Sequence, residues 1–263
     1  MIPKVIHYCW FGGNPKPEIV QKCIASWKKY CPDWVIQEWN ESNFDVSLYQ
    51  YAKSAYDAKK WAFVSDIARL IILEKYGGFY LDSDVEIQKD HPFDDYVKFS
   101  AVLPFETERA INSGLCFGAE AGAKIVKQLL EPYLSTCYTK ESTFVNSRMN
   151  RPIFCQKYPT LHWNGKTQII ENICFLGMCE YGSLMQHHGM RSWCDDLPKY
   201  SVSKDNKLKH ILRNPKIFSF FEQHPFSKKI VPLYEFVVYD FLDLGLLFYC
   251  KRLLKKCKRK LMP

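Results

Sequence analysis

The chain has 263 residues, 47% of them hydrophobic and 16% aromatic, which is ample for a core built without staples and far from a disordered composition. Lys and Arg outnumber Asp and Glu by 36 to 28, but Lys251, Arg252, Lys255, Lys256, Lys258, Arg259 and Lys260 concentrate that excess in the C-terminal tail. The remainder is nearly neutral, which argues against a body that wraps nucleic acid.

The eleven cysteines include no C-x-x-C pair, so zinc-ribbon and thioredoxin chemistry are not indicated. The N-terminus MIPKVIHYCWFGG lacks the cationic start, long apolar run and cleavage site of a signal peptide. Reduced thiols in a cytoplasmic protein are the expectation.

In chain order, residues 4–10 (KVIHYCW) read as a first strand, ended by the turn-rich FGGNPKPE. A helix follows over 17–31. Pro17 suits its first position, Ile19, Val20, Cys23, Ile24, Trp27 and Tyr30 recur at helical spacing, and Pro32 stops it. WVIQEW (34–39) reads as a second strand, so the chain opens strand, helix, strand, as nucleotide-binding α/β sheets do. A second helix covers residues 61–76, with Gly77 at its C-terminal end. Strands are expected over 79–87, 98–106 and 113–120, and a third helix over 122–134. Beyond about residue 135 aromatics, prolines and turns mix, which predicts an irregular C-terminal half. The organisation expected is one α/β domain over residues 1–235, followed by a segment over 236–263.

Between Trp61 and Leu73 only Ser65, Asp66 and Arg69 are polar, so this helix is buried on most sides. Asp66 and Arg69, three apart, share a face. They are either an ion pair within the helix or two groups pointing into a polar cavity, and the acidic strand that follows directly favours the cavity. In that strand, FYLDSDVEI, extended geometry would set Asp82, Asp84 and Glu86 on one face at the carboxyl end of the sheet, where open α/β sheets bind ligands. Paired Asp oxygens suit a hard divalent cation, Mg²⁺ or Mn²⁺, which would relieve their repulsion and bridge to phosphate.

SDIARLIILEKYGGFYLDSDVEI resembles the signature of the DXD-containing glycosyltransferases of family 32, which include capsular polysaccharide transferases, yeast initiating mannosyltransferases and the glucosyltransferase domain of clostridial toxins. The resemblance extends to IPKVIHYCWFGG, FETERAINSGLCFGAEAG and HHGMRSW, and it is weak over residues 135–185. It implies a GT-A fold, a Rossmann-like α/β domain that binds a nucleotide-sugar. Trp10 would then stack on the base, Asp66 and Arg69 would hold donor-sugar hydroxyls, and Asp82 would touch ribose and sugar. Asp84 would be the firm metal ligand, with His188 preferred over His187 to complete the site. Ser192 and Trp193 would donate to the diphosphate, and Asn112 would lie beside the donor sugar or acceptor, against a competing reading as a turn former. Glu86 receives no role.

The activity this implies is metal-dependent transfer, with retention of configuration, from a nucleotide-diphosphate sugar to a glycan or lipid-linked acceptor in surface polysaccharide synthesis. A UDP-sugar is favoured as donor, with GDP-mannose as the other candidate. A hydrolase or phosphotransferase using the same acids is the alternative enzyme. A non-enzymatic membrane-associated protein is the third reading. It rests on YEFVVYDFLDLGLLFYCKRLLKKCKRK, whose apolar part is too short and charged to span a bilayer but could lie on an anionic inner leaflet. A packed C-terminal helix with a solvated basic tip explains that segment equally well.

Overall fold

The computed structural model describes residues 1–139 and 146–190. Strand β1 (Val5–Cys9) leads through the Gly12–Gly13 turn to helix α1 (Glu18–Tyr30), and β2 (Val35–Trp39) returns beside β1. Helix α1 starts one residue after Pro17, whose fixed φ of −57° feeds directly into the first turn. Helices α2 (Gln50–Asp57) and α3 (Trp61–Tyr76) follow, then β3 (Gly78–Tyr80) and β4 (Val85–Ile87). Strands β5 (Ala101–Thr107), β6 (Ala110–Ile111) and β7 (Phe117–Ala119) precede α4 (Lys124–Leu134) and α5 (Asn146–Lys157). Strands β8 (Gln168–Ile170) and β9 (Ile173–Leu176), helix α6 (Met178–Leu184) and β10 (Met185–His187) close the described chain.

The main sheet has the order β2-β1-β3-β7-β5-β9-β8, with β6 paired to β5. Parallel pairing of β1 with β2 and β3, and of β5 with β9, combines with antiparallel β7 and β8. Strands β2, β1, β3, β5 and β9 therefore all point the same way. Alternate residues of each strand feed two separate cores. Tyr80, Leu103, Phe117 and Phe175 face α2, α3, α4 and α5, whereas Ile6, Phe79, Leu81, Cys174 and Leu176 face α1 and α6. This is the three-layer α/β/α arrangement expected for a sheet with parallel crossovers.

The glycine pair after α3 has a steric cause. Gly77 caps the helix at φ +64°, its N–H donating to the Leu73 carbonyl, and a Cβ there would lie 2.7 Å from the Ala121 nitrogen. At Gly78, φ is +105° and a Cβ would meet the His7 ring and the Val5 carbonyl at 2.8 Å.

Two expectations change. The single strand over 79–87 is two strands in two sheets: β3 belongs to the main sheet, whereas β4 pairs antiparallel with β10. Between them residues 82–85 form a turn closed by the Val85 N–H on the Asp82 carbonyl at 3.0 Å, as the clustered polar Asp82, Ser83 and Asp84 favour. The stretch after residue 146 is also more regular than its pattern predicts, because β9 pairs with β5 and buries all four of its residues. The boundary at residue 235 and the segment 236–263 lie outside the described residues. Among the described residues all eight cysteines are free, and no helix is long and apolar enough to cross a membrane.

Candidate functional site

The chain leaves β1 toward β2 on one side and returns through α3 to β3 on the other. The strand order thus reverses at β1, and the crevice beyond the carboxyl ends of β1 and β3 is the place such sheets offer to ligands. Trp10 follows one strand, and Asp82 and Asp84 follow the other. The Asp82, Asp84 and His187 ligand atoms lie within 4.8 Å of one another.

The buried end of this cluster is Arg69, 3% exposed on α3. Its Nη2 pairs with Asp66 at 3.0 Å and Asp82 at 3.1 Å, its Nε donates to the Ser65 carbonyl at 3.1 Å, and its guanidinium lies 4.6 Å from the Tyr80 ring centroid. Burial opposes the Arg69 charge, but Asp82, Tyr80 and Asp66 outweigh it and the group stays cationic. Its Nη1 is buried without a protein partner, a costly state for a charged donor and one that a ligand oxygen would relieve. The two sequence alternatives for Asp66 and Arg69 are therefore joined: they are an ion pair, and its cation continues to Asp82. Asp82 is held further by the Tyr80 hydroxyl at 3.1 Å and by its own N–H on the Gly114 carbonyl at 2.7 Å.

Asp84 is buried at 8% exposure, with its Oδ2 accepting the Met190 N–H at 2.8 Å and its Oδ1 facing His187 Nε2 at 3.4 Å. Burial would push its carboxyl up, but the contact with His187 and the Met190 N–H bring it below the usual range. His187 mirrors this: burial lowers its pKa, whereas the hydrogen bond to Asp84 and the charges of Asp84, Asp82 and Glu106 raise it overall. Such a proton, held between acids, is what a divalent cation replaces. Two carboxylates and one imidazole form a donor set that fits Mn²⁺ or Mg²⁺, the imidazole favouring Mn²⁺.

The geometry turns the histidine preference around. His188, preferred from sequence, lies just past β10 and reaches Glu86 at 2.9 Å, away from the aspartates. His187 is the imidazole brought to Asp84, because the turn before β4 aims that carboxylate at the end of β10. Glu86, given no role, binds Lys22 and His188, both at 2.9 Å, and staples α1 to the small sheet.

Trp10 is half-buried at the end of β1. Its indole N–H donates to the Asn14 carbonyl at 2.7 Å, and the Lys16 ammonium lies 5.9 Å from its ring centroid. Asn112 is a turn former: its Oδ1 accepts the Gly114 N–H at 2.8 Å. Its side chain also lies close enough to Glu106 to favour that residue's charged form. Ser192 and Trp193 lie outside the described residues. Three contributors escaped the sequence reading. Tyr80 and Gly114 look like ordinary strand and turn residues until the chain folds, but Glu106 was findable, as the last residue of a predicted strand.

Comparison with known proteins bears on this arrangement. The chain is 34% identical over 92 residues to inositol phosphoceramide mannosyltransferase 3 of Schizosaccharomyces pombe, a match covering 32% of this chain and 24% of that protein. It thus spans about a quarter of that relative's length. Among solved structures it resembles PaToxG glycosyltransferase with a TM-score of 0.50 at 20% identity, over 60% of this chain and 70% of that one. At that identity the likeness speaks for the fold, and the fold is GT-A. The profile described as capsular polysaccharide synthesis protein matches residues 1–147, more than half of the 263. The chain belongs to that family.

Proposed function

We propose that the protein is a divalent-cation-dependent retaining glycosyltransferase. It moves a sugar from a nucleotide-diphosphate donor, a UDP-sugar before GDP-mannose, to a glycan or lipid-linked acceptor in surface polysaccharide synthesis. The observation that carries this is the meeting of Asp82, Asp84 and His187 at the carboxyl end of β3, backed by the buried Arg69. Membership of the capsular polysaccharide family and likeness to the yeast mannosyltransferase support the same chemistry.

Mn²⁺ or Mg²⁺ bound by Asp82, Asp84 and His187 would neutralise charge on the departing diphosphate. Trp10 offers a stacking face for the base at the far side of the crevice. Asp66 and Arg69 hold the donor sugar by its hydroxyls, the unpartnered Nη1 of Arg69 being the donor nearest to hand. Asp82 is braced by Arg69, Tyr80 and Gly114, so its carboxylate is positioned before any ligand arrives. Ser192 and Trp193 complete the proposal as donors to the diphosphate. No side chain in the cluster is required as a nucleophile, in keeping with attack on the face from which the diphosphate departs.

The test is Asp84→Ala in an assay with UDP- and GDP-sugars, Mn²⁺ and sugar acceptors. Transfer should fall at least a thousandfold while the variant keeps its fold by circular dichroism. A folded Asp84→Ala protein with full activity contradicts the metal role. Equal turnover of donor with and without acceptor by the wild type would identify a hydrolase instead.

A further inference from the structure

Glu106 lies near the carboxyl end of β5, the longest strand of the sheet, which points the same way as β1 and β3. Residues Ala101 to Phe105 of β5 are buried on both faces, and Glu106 is exposed where the strand leaves the core. Although solvent reaches it, surrounding protein desolvates the carboxyl and raises its pKa. The Asn112 side chain and the charge of His187 pull the other way, and Asp82 adds to the rise. Glu106 therefore sits beside the carboxyl edge of the sheet, within electrostatic reach of His187 and Asp82. Because the Asn112 Oδ1 accepts the Gly114 N–H, its amide nitrogen is the group available to the Glu106 carboxyl. Among the described residues no Lys or Arg pairs with it. Its carboxylate, exposed on that edge, is open to hydroxyl donors.

The strand order says which part of a bound complex it would face. Reading along the carboxyl edge, Trp10 follows β1, the aspartates follow β3, and Glu106 lies on β5 beyond β7, two strand spacings or roughly 10 Å further on. A donor laid from Trp10 across the aspartates presents its sugar toward β5, so the molecule met next lies over Glu106. A carboxylate repels phosphate and carboxylate but accepts hydrogen bonds from hydroxyls. We propose that Glu106 is the acceptor-binding residue, accepting hydrogen bonds from the hydroxyls of a neutral sugar and discriminating against an acceptor that is anionic at its reacting end. This rests on the glycosyl transfer proposed above.

The experiment uses full-length wild type and Glu106→Gln with Mn²⁺ and UDP- or GDP-sugars. Neutral para-nitrophenyl glycosides and the corresponding anionic glucuronide serve as acceptors. The KM for neutral glycosides should rise tenfold or more in Glu106→Gln, the donor Kd should stay as in the wild type, and preference should shift toward the glucuronide. That shift is a readout that a loss of packing would not produce. An unchanged acceptor KM overturns the assignment. So does a weakened donor Kd with acceptor parameters intact, which would place Glu106 on the donor. If the wild type turns over none of these donors, the transferase reading fails by itself. Glu106 is then judged by glycoside binding with Mn²⁺ and UDP in saturation-transfer NMR, where equal binding by both proteins overturns the assignment and loss in Glu106→Gln supports it.

Discussion

The Asp82 carboxylate and the Arg69 guanidinium meet against the bare Cα of Gly114. A Cβ at that position would lie 2.0 Å from Asp82 Oδ2 and 2.6 Å from Arg69 Nη1. Both are ends of side chains, so Gly114→Ala should leave the backbone in place and displace the ion pair instead. The expected cost in stability is about 1–3 kcal/mol. Donor affinity should fall tenfold or more, because the bracing of Asp82 is lost. Calorimetric titration with a nucleotide-sugar and Mn²⁺, beside a thermal melt, separates the two effects; wild-type affinity in a folded variant would show that the Asp82–Arg69 geometry is dispensable. At this scale the acids and Arg69 could be picked from sequence, because charged residues inside an apolar helix or behind an apolar strand demand partners. The choice between His187 and His188 could not be made, since it depends on where β10 ends against β4.

The site is supported by elements at its back. Helix α1 holds β4 through the Trp27 indole N–H on the Val85 carbonyl at 2.7 Å and through Ser26 Oγ, which accepts the Ile87 N–H at 3.0 Å. Strands β1, β2 and β3 are tied by the His7 ring, whose Nδ1 accepts from Trp39 at 3.1 Å while its Nε2 donates to the Gly77 carbonyl at 2.8 Å. Both ring nitrogens are satisfied only in the neutral form. Burial lowers the His7 pKa from 6.5 to about 4, against a smaller upward pull from the Gly77 carbonyl. Between those values the unfolded chain binds a proton that the native chain refuses. Stability therefore falls as pH drops from above 6.5 toward 4, by up to about 1.4 kcal/mol per unit and roughly 3 kcal/mol in all. Urea denaturation of wild type and His7→Gln across this range should show a shallower pH slope in the variant. Equal slopes would remove His7 as the cause.

For the whole molecule, the nearly neutral body and the basic tail are a property of the sequence that stands apart from the site. Residues 251–260 hold seven Lys and Arg behind an apolar stretch, a pattern suited to an anionic membrane surface. Full-length protein should float with vesicles containing about 30% anionic lipid and release as salt rises, since each basic residue near such a surface contributes about 1 kcal/mol. Replacing Lys255, Lys256, Lys258, Arg259 and Lys260 by Gln should abolish flotation while leaving donor binding intact. Flotation that persists in the substituted chain would exclude an electrostatic anchor.

The opening strand–helix–strand, the buried helix over 61–76 and the acids behind it were set by local rules: apolar periodicity, proline and glycine punctuation, and the expense of charge in an apolar run. The resemblance to family 32 rests on those same stretches together with FETERAINSGLCFGAEAG and HHGMRSW. Tertiary structure decided the rest. It broke the acidic strand into two, because the turn at residues 82–85 sends β3 and β4 into different sheets. It also brought His187, 103 positions beyond Asp84 in sequence, to within 3.4 Å of that residue, and put Glu106 on the same edge two strands away. These are pairings between distant segments. They are chosen by the burial and hydrogen bonding of the whole sheet, which no local window of the chain contains.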